Sequence, residues 1–386
     1  MPPFGLYVHI PFCQQRCPYC AFVVLTGQTA LYERYVEAVC TEIRSYRHLE
    51  AKGPLQTIFF GGGTPSLFQA AQLGRILDTA EAVFGVEPAA EITLEANPSS
   101  AESVRFDALK RTGFNRLSLG VQACNDADLR TLGRMHNAAE AESAYVTARR
   151  AGFRNVNVEV IFSIPGMARS RWQHTLERVI AWQPEHVSTY SLTLEEGTKL
   201  AQHAQQGHVP SVSEEDDAWA FTYAIEVLDR AGYEHYEVSS FARPGFRARH
   251  NWGYWHGAEY LGVGLAAHSF FDGRRRWNGP DLPTYLARLG AGQRPCGGEE
   301  VLDDEIIARE RIWLQLHTCE GVELTPGEVE ILQGAVKFQS LRGEDLVQLV
   351  THRLRLTRLG YLLADAIVVA VVEMIQDVRR RDEGGA

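Results

Sequence analysis

Cys13, Cys17 and Cys20 fall within eight residues, in the order C-x3-C-x2-C. Thiolates are soft ligands that suit iron–sulfur clusters and zinc. Three of them on one loop can hold three irons of a cubane cluster and leave the fourth iron open. Structural zinc takes four protein ligands, and no second CxxC pair occurs, because Cys40, Cys124, Cys296 and Cys319 are scattered singly. A zinc site completed by a distant histidine, or plain packing cysteines, are the alternatives.

Gly61-Gly62-Gly63-Thr64-Pro65 is the second chemical signal. Consecutive glycines let a backbone approach a ligand closely, although a tight turn uses them too. Single polar residues end other β-rich runs, Glu95, Gln122, Tyr190 and Ser191, and Glu159 lies within the fifth. Arg134 follows in Gly-Arg-Met-His, and its planar fork suits a carboxylate. Each of these alone reads equally as a capping or solvated side chain. His250-Asn251-Trp252-Gly253-Tyr254-Trp255 is the third signal. An imidazole can ligate heme iron and aromatics can cover a porphyrin face; the plain alternative is a packed, hydrogen-bonded histidine.

These residues need elements to position them. The chain has 386 residues, more than one small core requires. It is 45% hydrophobic and 22% charged, which excludes disorder and coiled coil. A net charge of -10 argues against a nucleic-acid partner. Seven cysteines, clustered as they are, argue against a disulfide scaffold. No signal peptide is visible, and Tyr361–Ile375 is too short and too interrupted to span a bilayer. A cytoplasmic, reducing location is therefore expected.

Strands are expected at Gly5–Ile10, Thr57–Gly61, Glu91–Glu95, Arg116–Val121, Val156–Phe162 and Val187–Thr193, as apolar runs covered on both faces. Helical stretches are expected at Thr29–Leu49, Leu67–Phe84, Ala101–Arg111, Ala138–Ala151, Ser170–Trp182 and Ser213–Ala231. Polar residues at the ends of several strands fit a barrel top. Six units do not close an eight-stranded barrel, so an open, partial (β/α)6 α/β barrel over residues 1–240 is expected. Residues 241–300 read as loop-rich connection. Residues 301–386 read as a smaller helical, winged-helix-like module, with mixed charge that suits a packing scaffold.

The C-x3-C-x2-C run after an opening strand resembles the signature of the radical S-adenosylmethionine (SAM) superfamily. Tyr7, His9, Pro11 and Phe12 before it, and Tyr19 and Phe22 around it, resemble the branch of oxygen-independent coproporphyrinogen oxidases, and within it the HemW heme-chaperone family. The resemblance covers Tyr7 to about Leu363. It implies a [4Fe–4S] cluster on Cys13, Cys17 and Cys20. It also implies SAM contacts from Tyr7, Tyr19, Gly63, Thr64, Glu95, Gln122, Arg134, Glu159 and Ser191. The family usually has D-L-I-Y-G where this chain has Glu159-Val160-Ile161-Phe162-Ser163. The segment Tyr236–Gly245 followed by His250-Asn251-x-x-Tyr254-Trp255 resembles the HemW heme-binding motif, so heme is implied there, with His250 as iron ligand. Arg247 and Arg249 are candidates for the propionates, and His268 and His9 are further heme or substrate candidates. The partners implied are heme and apo-hemoproteins such as membrane-bound respiratory enzymes. The competing reading is oxygen-independent coproporphyrinogen III dehydrogenase. Those enzymes carry a fourth cysteine where this chain has Phe22, which favours the chaperone.

Overall fold

The computed structural model of the chain describes residues 4–99 and 105–384, with side chains described as far as residue 376. Its main sheet opens with six parallel strands: β1 (Gly5–Ile10), β2 (Leu55–Gly62), β3 (Val86–Ala96), β4 (Arg116–Gln122), β5 (Asn155–Phe162) and β6 (His186–Ser191). Helices connect them: α1 (Tyr32–Ser45), α2 (Ala70–Phe84), α3 (Phe106–Thr112), α4 (Asp126–Thr131), α5 (Ala138–Arg150) and α6 (Arg169–Trp182). The first residues of the helix expected at Ala101–Arg111 lie outside the described residues. After β6 come α7 (Lys199–Gln205) and α8 (Glu214–Arg230). Ser213 caps α8 by accepting from Asp216 N, and four acidic residues in its first turn complement the helix dipole.

The expectation of apolar runs buried on both faces needs correction. Strand alternation sends apolar residues such as Leu117, Leu119, Val156 and Val158 into the helix layer. The other face, inside the barrel, carries Arg116, Ser118, Asn157, His186 and Ser188, all buried. Burial leaves these polar groups one another as partners. Asn157 Nδ2 donates to Ser118 Oγ at 2.8 Å and Ser188 Oγ at 3.1 Å, and His186 bonds Asn157 Oδ1 at 2.6 Å.

The loop expectation for residues 241–300 is also corrected. That stretch holds most of β8 (Ser240–Ala242), which pairs with β7 (Glu234–Glu237) on one edge. It then forms helix α9 (Arg249–Trp255) and four further strands: β9 (Tyr260–Val263), β10 (His268–Phe271), β11 (Arg274–Asn278) and β12 (Cys296–Val301). Strand β9 runs parallel to β1, and β10 to β12 extend the sheet antiparallel. The resulting order is β12-β11-β10-β9-β1-β2-β3-β4-β5-β6-β8-β7. Helix α10 (Leu282–Gly290) covers the extension.

A second apolar core runs from Ile312 to Ile375. It lies among α11 (Asp304–Leu316), α12 (Pro326–Gly334), α13 (Val336–Gly343) and α14 (Ala364–Gly384). A three-stranded sheet joins them: β13 (Val322–Glu323), β14 (Val347–Val350) and β15 (Arg353–Leu356). Helices and a small antiparallel sheet make up this C-terminal part. No helix among the described residues is long and apolar enough to cross a membrane.

Candidate functional site

A cavity of about 740 Å³ opens at the C-terminal ends of the parallel strands. Cys13, Cys17 and Cys20 all border it, on the loop between β1 and α1. Among the described residues no group of three or more His, Cys, Asp or Glu is placed to hold a single ion. Burial pushes the Cys13 thiol up to about 11, and its 3.4 Å contact with Thr64 Oγ1 opposes that rise.

The glycine run forms the wall beside Cys13. Gly63 N donates to Ile10 O at 2.8 Å and Thr64 N to Phe12 O at 2.8 Å, which ties the turn to the cysteine strand. A Cβ at Gly63 would lie 2.7 Å from Phe12 O, so the approach itself requires glycine. Gly62, at φ 109, leaves room for the His9 ring and donates through its N–H to Glu95 at 3.1 Å.

Glu95 and Glu159 face the cavity from β3 and β5. Burial, and then the charge of Glu159, raise the Glu95 carboxyl to about 8. Glu159 accepts from Ser118 Oγ. Arg134 reaches in from the α4–α5 loop and spreads its fork over four acceptors. Nη1 lies 3.6 Å from Cys17 Sγ and 3.5 Å from Tyr19 Oη, while Nη2 donates to Gly120 O at 3.1 Å and to Asn97 Oδ1. Gln122 is buried at the end of β4 with φ 66, where the pairing with β5 shifts register, and its Oε1 has no hydrogen-bond partner among the described residues. Ser163, where the resembled pattern has glycine, likewise takes φ 58. Its hydroxyl and that of Ser191 both donate to Asp217 Oδ1.

The cavity therefore gathers Cys13, Cys17, Cys20, Tyr19, Gly63, Thr64, Glu95, Gln122, Arg134, Glu159 and Ser191. Tyr7 is the exception among the expected contacts. Alternation on β1 turns it into the barrel below the glycine turn, where its hydroxyl bonds His9 Nδ1 at 2.9 Å and its ring stacks on Phe59. Asn97 and Ser118 escaped the sequence reading. Ser118 was legible in the two-residue period of Arg116, Ser118, Gly120 and Gln122.

The histidine–aromatic segment lies elsewhere. Helix α9 packs beneath the barrel, at the N-terminal ends of the strands. Arg249 N and His250 N both donate to Glu91 at 3.1 Å. His250 Nδ1 bonds Thr57 Oγ1 at 2.8 Å and Nε2 bonds Tyr254 Oη at 2.7 Å, with the ring stacked on Phe59. Burial and Arg116 lower its pKa to about 3, so it is neutral. Both ring nitrogens of the histidine expected as an iron ligand are thus hydrogen-bonded inside the protein in this arrangement. Arg247, expected at the propionates, pairs with Glu234 and Glu320 and lies 4.6 Å above Trp252. Arg249 donates to Ala89 O at 2.7 Å, Trp255 stacks on His317, and Asn251 is half-buried on the same helix.

The sequence profile of the Radical SAM superfamily matches residues 7–179. The heme chaperone HemW of Lactococcus lactis is 34% identical over 354 residues, spanning 91% of this chain and 90% of that protein. The chain belongs to the HemW family. The HemW protein of Escherichia coli is 37% identical over 281 residues, 71% of this chain and 72% of its own. The solved structure of the coproporphyrinogen III oxidase HemN from Escherichia coli superimposes with a TM-score of 0.82. That match covers 97% of this chain and 90% of HemN at 22% identity, and it establishes the shared fold. The partial barrel with its helical C-terminal part is thus the architecture of this HemW member.

Proposed function

We propose that this HemW-family chain is a heme carrier built on a radical-SAM barrel, which takes up heme and passes it to apo-hemoproteins in the cytoplasm. The observation that carries the barrel chemistry is the meeting of three thiols, a glycine–threonine turn and the Glu95–Gln122–Arg134 set on one cavity. Cys13, Cys17 and Cys20 would hold a [4Fe–4S] cluster. Gly63, Thr64, Glu95, Gln122, Arg134, Glu159 and Ser191 would surround SAM. When bound, the two groups supply one-electron reduction and radical chemistry. The chain's own residues hold and orient: Arg134 fixes the Cys17 and Tyr19 side of the cavity, and Glu95 offers a carboxyl whose pKa is raised by burial and by Glu159. The heme-carrying part rests on the names of the relatives. Client proteins such as respiratory enzymes belong to the same proposal.

Coproporphyrinogen III dehydrogenase is the second reading, supported by the fold shared with HemN. Phe22 weighs against it. Its ring stands 66% exposed at the cavity mouth, where the resembled dehydrogenases have cysteine. Two assays on the anaerobically reconstituted protein separate the readings. Stoichiometric hemin uptake with no turnover of coproporphyrinogen III, given SAM and reductant, is the expected result. Decarboxylation of that substrate would sink the carrier reading.

A further inference from the structure

We propose that the barrel interior holds a small monovalent anion, of the size of chloride, against Arg116 of β4. Arg116 is 1% exposed, and the other arginines and lysines among the described residues are all more exposed. A guanidinium stays protonated inside a protein, so Arg116 cannot shed its charge as a buried lysine does. Its side chain makes no hydrogen bond or ion pair among the described residues, and its Nε is buried without a partner. Buried cations are ordinarily paired and hydrogen-bonded, because burial strips their hydration.

Strand register gives this cation neighbours of the same kind. Arg116 pairs with Thr93 on β3 and with Asn155 on β5, and partners in register share a face. Thr93 Oγ1 and Asn155 Oδ1 are likewise buried without partners. Three orphaned polar atoms therefore belong to one rung of the sheet. Phe59 closes the rung on the β2 side, as the partner of Thr93. Two residues further along the same face the next rung is complete. Ser118, Asn157 and His186 pair in register there, and Asn157 bonds both of the others. These strands can satisfy a polar interior, and the Arg116 rung is one they leave open.

The carboxylates of the barrel interior are engaged elsewhere. Glu95 accepts from Gly62 N, Glu159 from Ser118 Oγ, and Glu91 from two backbone N–H groups. The balancing charge then comes from outside the chain. The rung supplies what an anion takes: guanidinium N–H groups, a hydroxyl, and an amide that turns its NH2 inward by rotation about its last bond. Enclosure sets the size. Thr93 is 0% exposed, so an ion of one or a few atoms fits where a phosphate ester does not. Asn155, half-buried at the first residue of β5, is the open end of the rung. None of the three residues borders the cavity at the strands' C-terminal ends, so this site stands apart from the radical-SAM and carrier readings.

Thermal unfolding of the full chain, with sodium chloride replacing sodium gluconate at constant ionic strength, tests the site. Gluconate is too large for the rung. The wild-type melting temperature should rise with chloride and level off, as a single saturable site requires. Arg116→Met keeps the side chain's length and removes its charge, and its melting temperature should not follow chloride. Thr93→Val keeps the cation and should need several-fold more chloride for the same rise; it reads the site even where Arg116→Met does not fold. Crystals grown in sodium bromide, with data at the bromine edge, should show an anomalous peak within hydrogen-bond distance of Arg116. Water in place of that peak would overturn the proposal. So would an Arg116→Met chain that follows chloride as wild type does, or unchanged chloride dependence in Thr93→Val. A bromide peak with a wild-type melting temperature indifferent to chloride would mean an adventitious ion only, and would overturn it as well.

Discussion

Cys17 and Glu95 stand on opposite walls of the cavity, and each carries a prediction of its own. Cys17 is held from across the cavity by Arg134. Replacing it with serine removes one soft ligand of three and leaves a poor iron donor. Anaerobic reconstitution of the wild type is expected to give about four irons per chain, in line with a cubane. Cys17→Ser should fall well below that, and an intact cluster in the variant would refute the ligand assignment. Glu95 titrates at about 8 in the folded chain, raised from 4.5. Raised folded pKa values have a definite sign. The contribution of Glu95 to stability is whole below pH 4.5 and is lost as the pH rises through 8. Glu95→Gln mimics the protonated form and removes that loss. Its melting temperature should match wild type near pH 5 and exceed it by several degrees at pH 8.5. Parallel curves at both pH values would show that Glu95 titrates normally.

Strands β1 to β6 were legible at the scale of elements because apolar runs alternated with amphipathic helices. Several cavity residues followed from them, because Glu95, Gln122 and Ser191 sit at or next to the C-terminal ends of strands and the cysteines on the loop after β1. Strands β11 and β12 were not legible. Arg274-Arg275-Arg276-Trp277 and Gly297-Gly298-Glu299-Glu300 show no apolar alternation. They are strands because the charges pair across the ladder, Arg274 and Arg276 with Glu299 and Arg275 with Glu300. A single chain segment cannot reveal a stabilisation that belongs to two. The place of helix α9 was not legible for a related reason. Its residue types suit a heme, but only the return of β9 alongside β1 puts the helix under the barrel. His250→Ala should therefore behave as a core lesion. It breaks two buried hydrogen bonds and vacates a space beside Phe59, at a cost of about 2–4 kcal/mol. Denaturant unfolding should show that loss. Wild-type stability in the variant would refute the packing role.

Two cores and one extended sheet have to act together at the scale of the whole molecule. The C-terminal core meets the barrel at the β7 edge, where Glu237 bridges Thr318 and Arg358 pairs with Asp229 at 2.6 Å. The sheet extension is joined to the barrel differently, through Glu42 of α1, which is fully buried. Its carboxyl accepts from Gly264 N at 2.8 Å, Asn278 Nδ2 at 2.7 Å and Tyr285 Oη at 2.6 Å. One side chain thereby ties the first helix to the loop after β9, to β11 and to α10. Tyr35 adds a parallel link, donating to His9 O at 2.7 Å and accepting from Leu265 N at 2.9 Å. Glu42→Ala leaves Gly264 N and Tyr285 Oη without an acceptor and Asn278 Nδ2 with Gly264 O alone, and each buried orphan costs about 1–3 kcal/mol. The chain should lose about 3 kcal/mol or more of stability. The loss should be local in its first consequences: hydrogen exchange should quicken across residues 260–290 before it changes in the C-terminal core. Burial raises the carboxyl to about 7, so the contribution of Glu42 is complete below pH 4.5 and is lost as the pH rises through 7. Glu42→Gln should flatten that part of the pH–stability curve. A Glu42→Ala chain that unfolds like wild type and exchanges no faster over residues 260–290 would mean that the extension is held by sheet pairing alone.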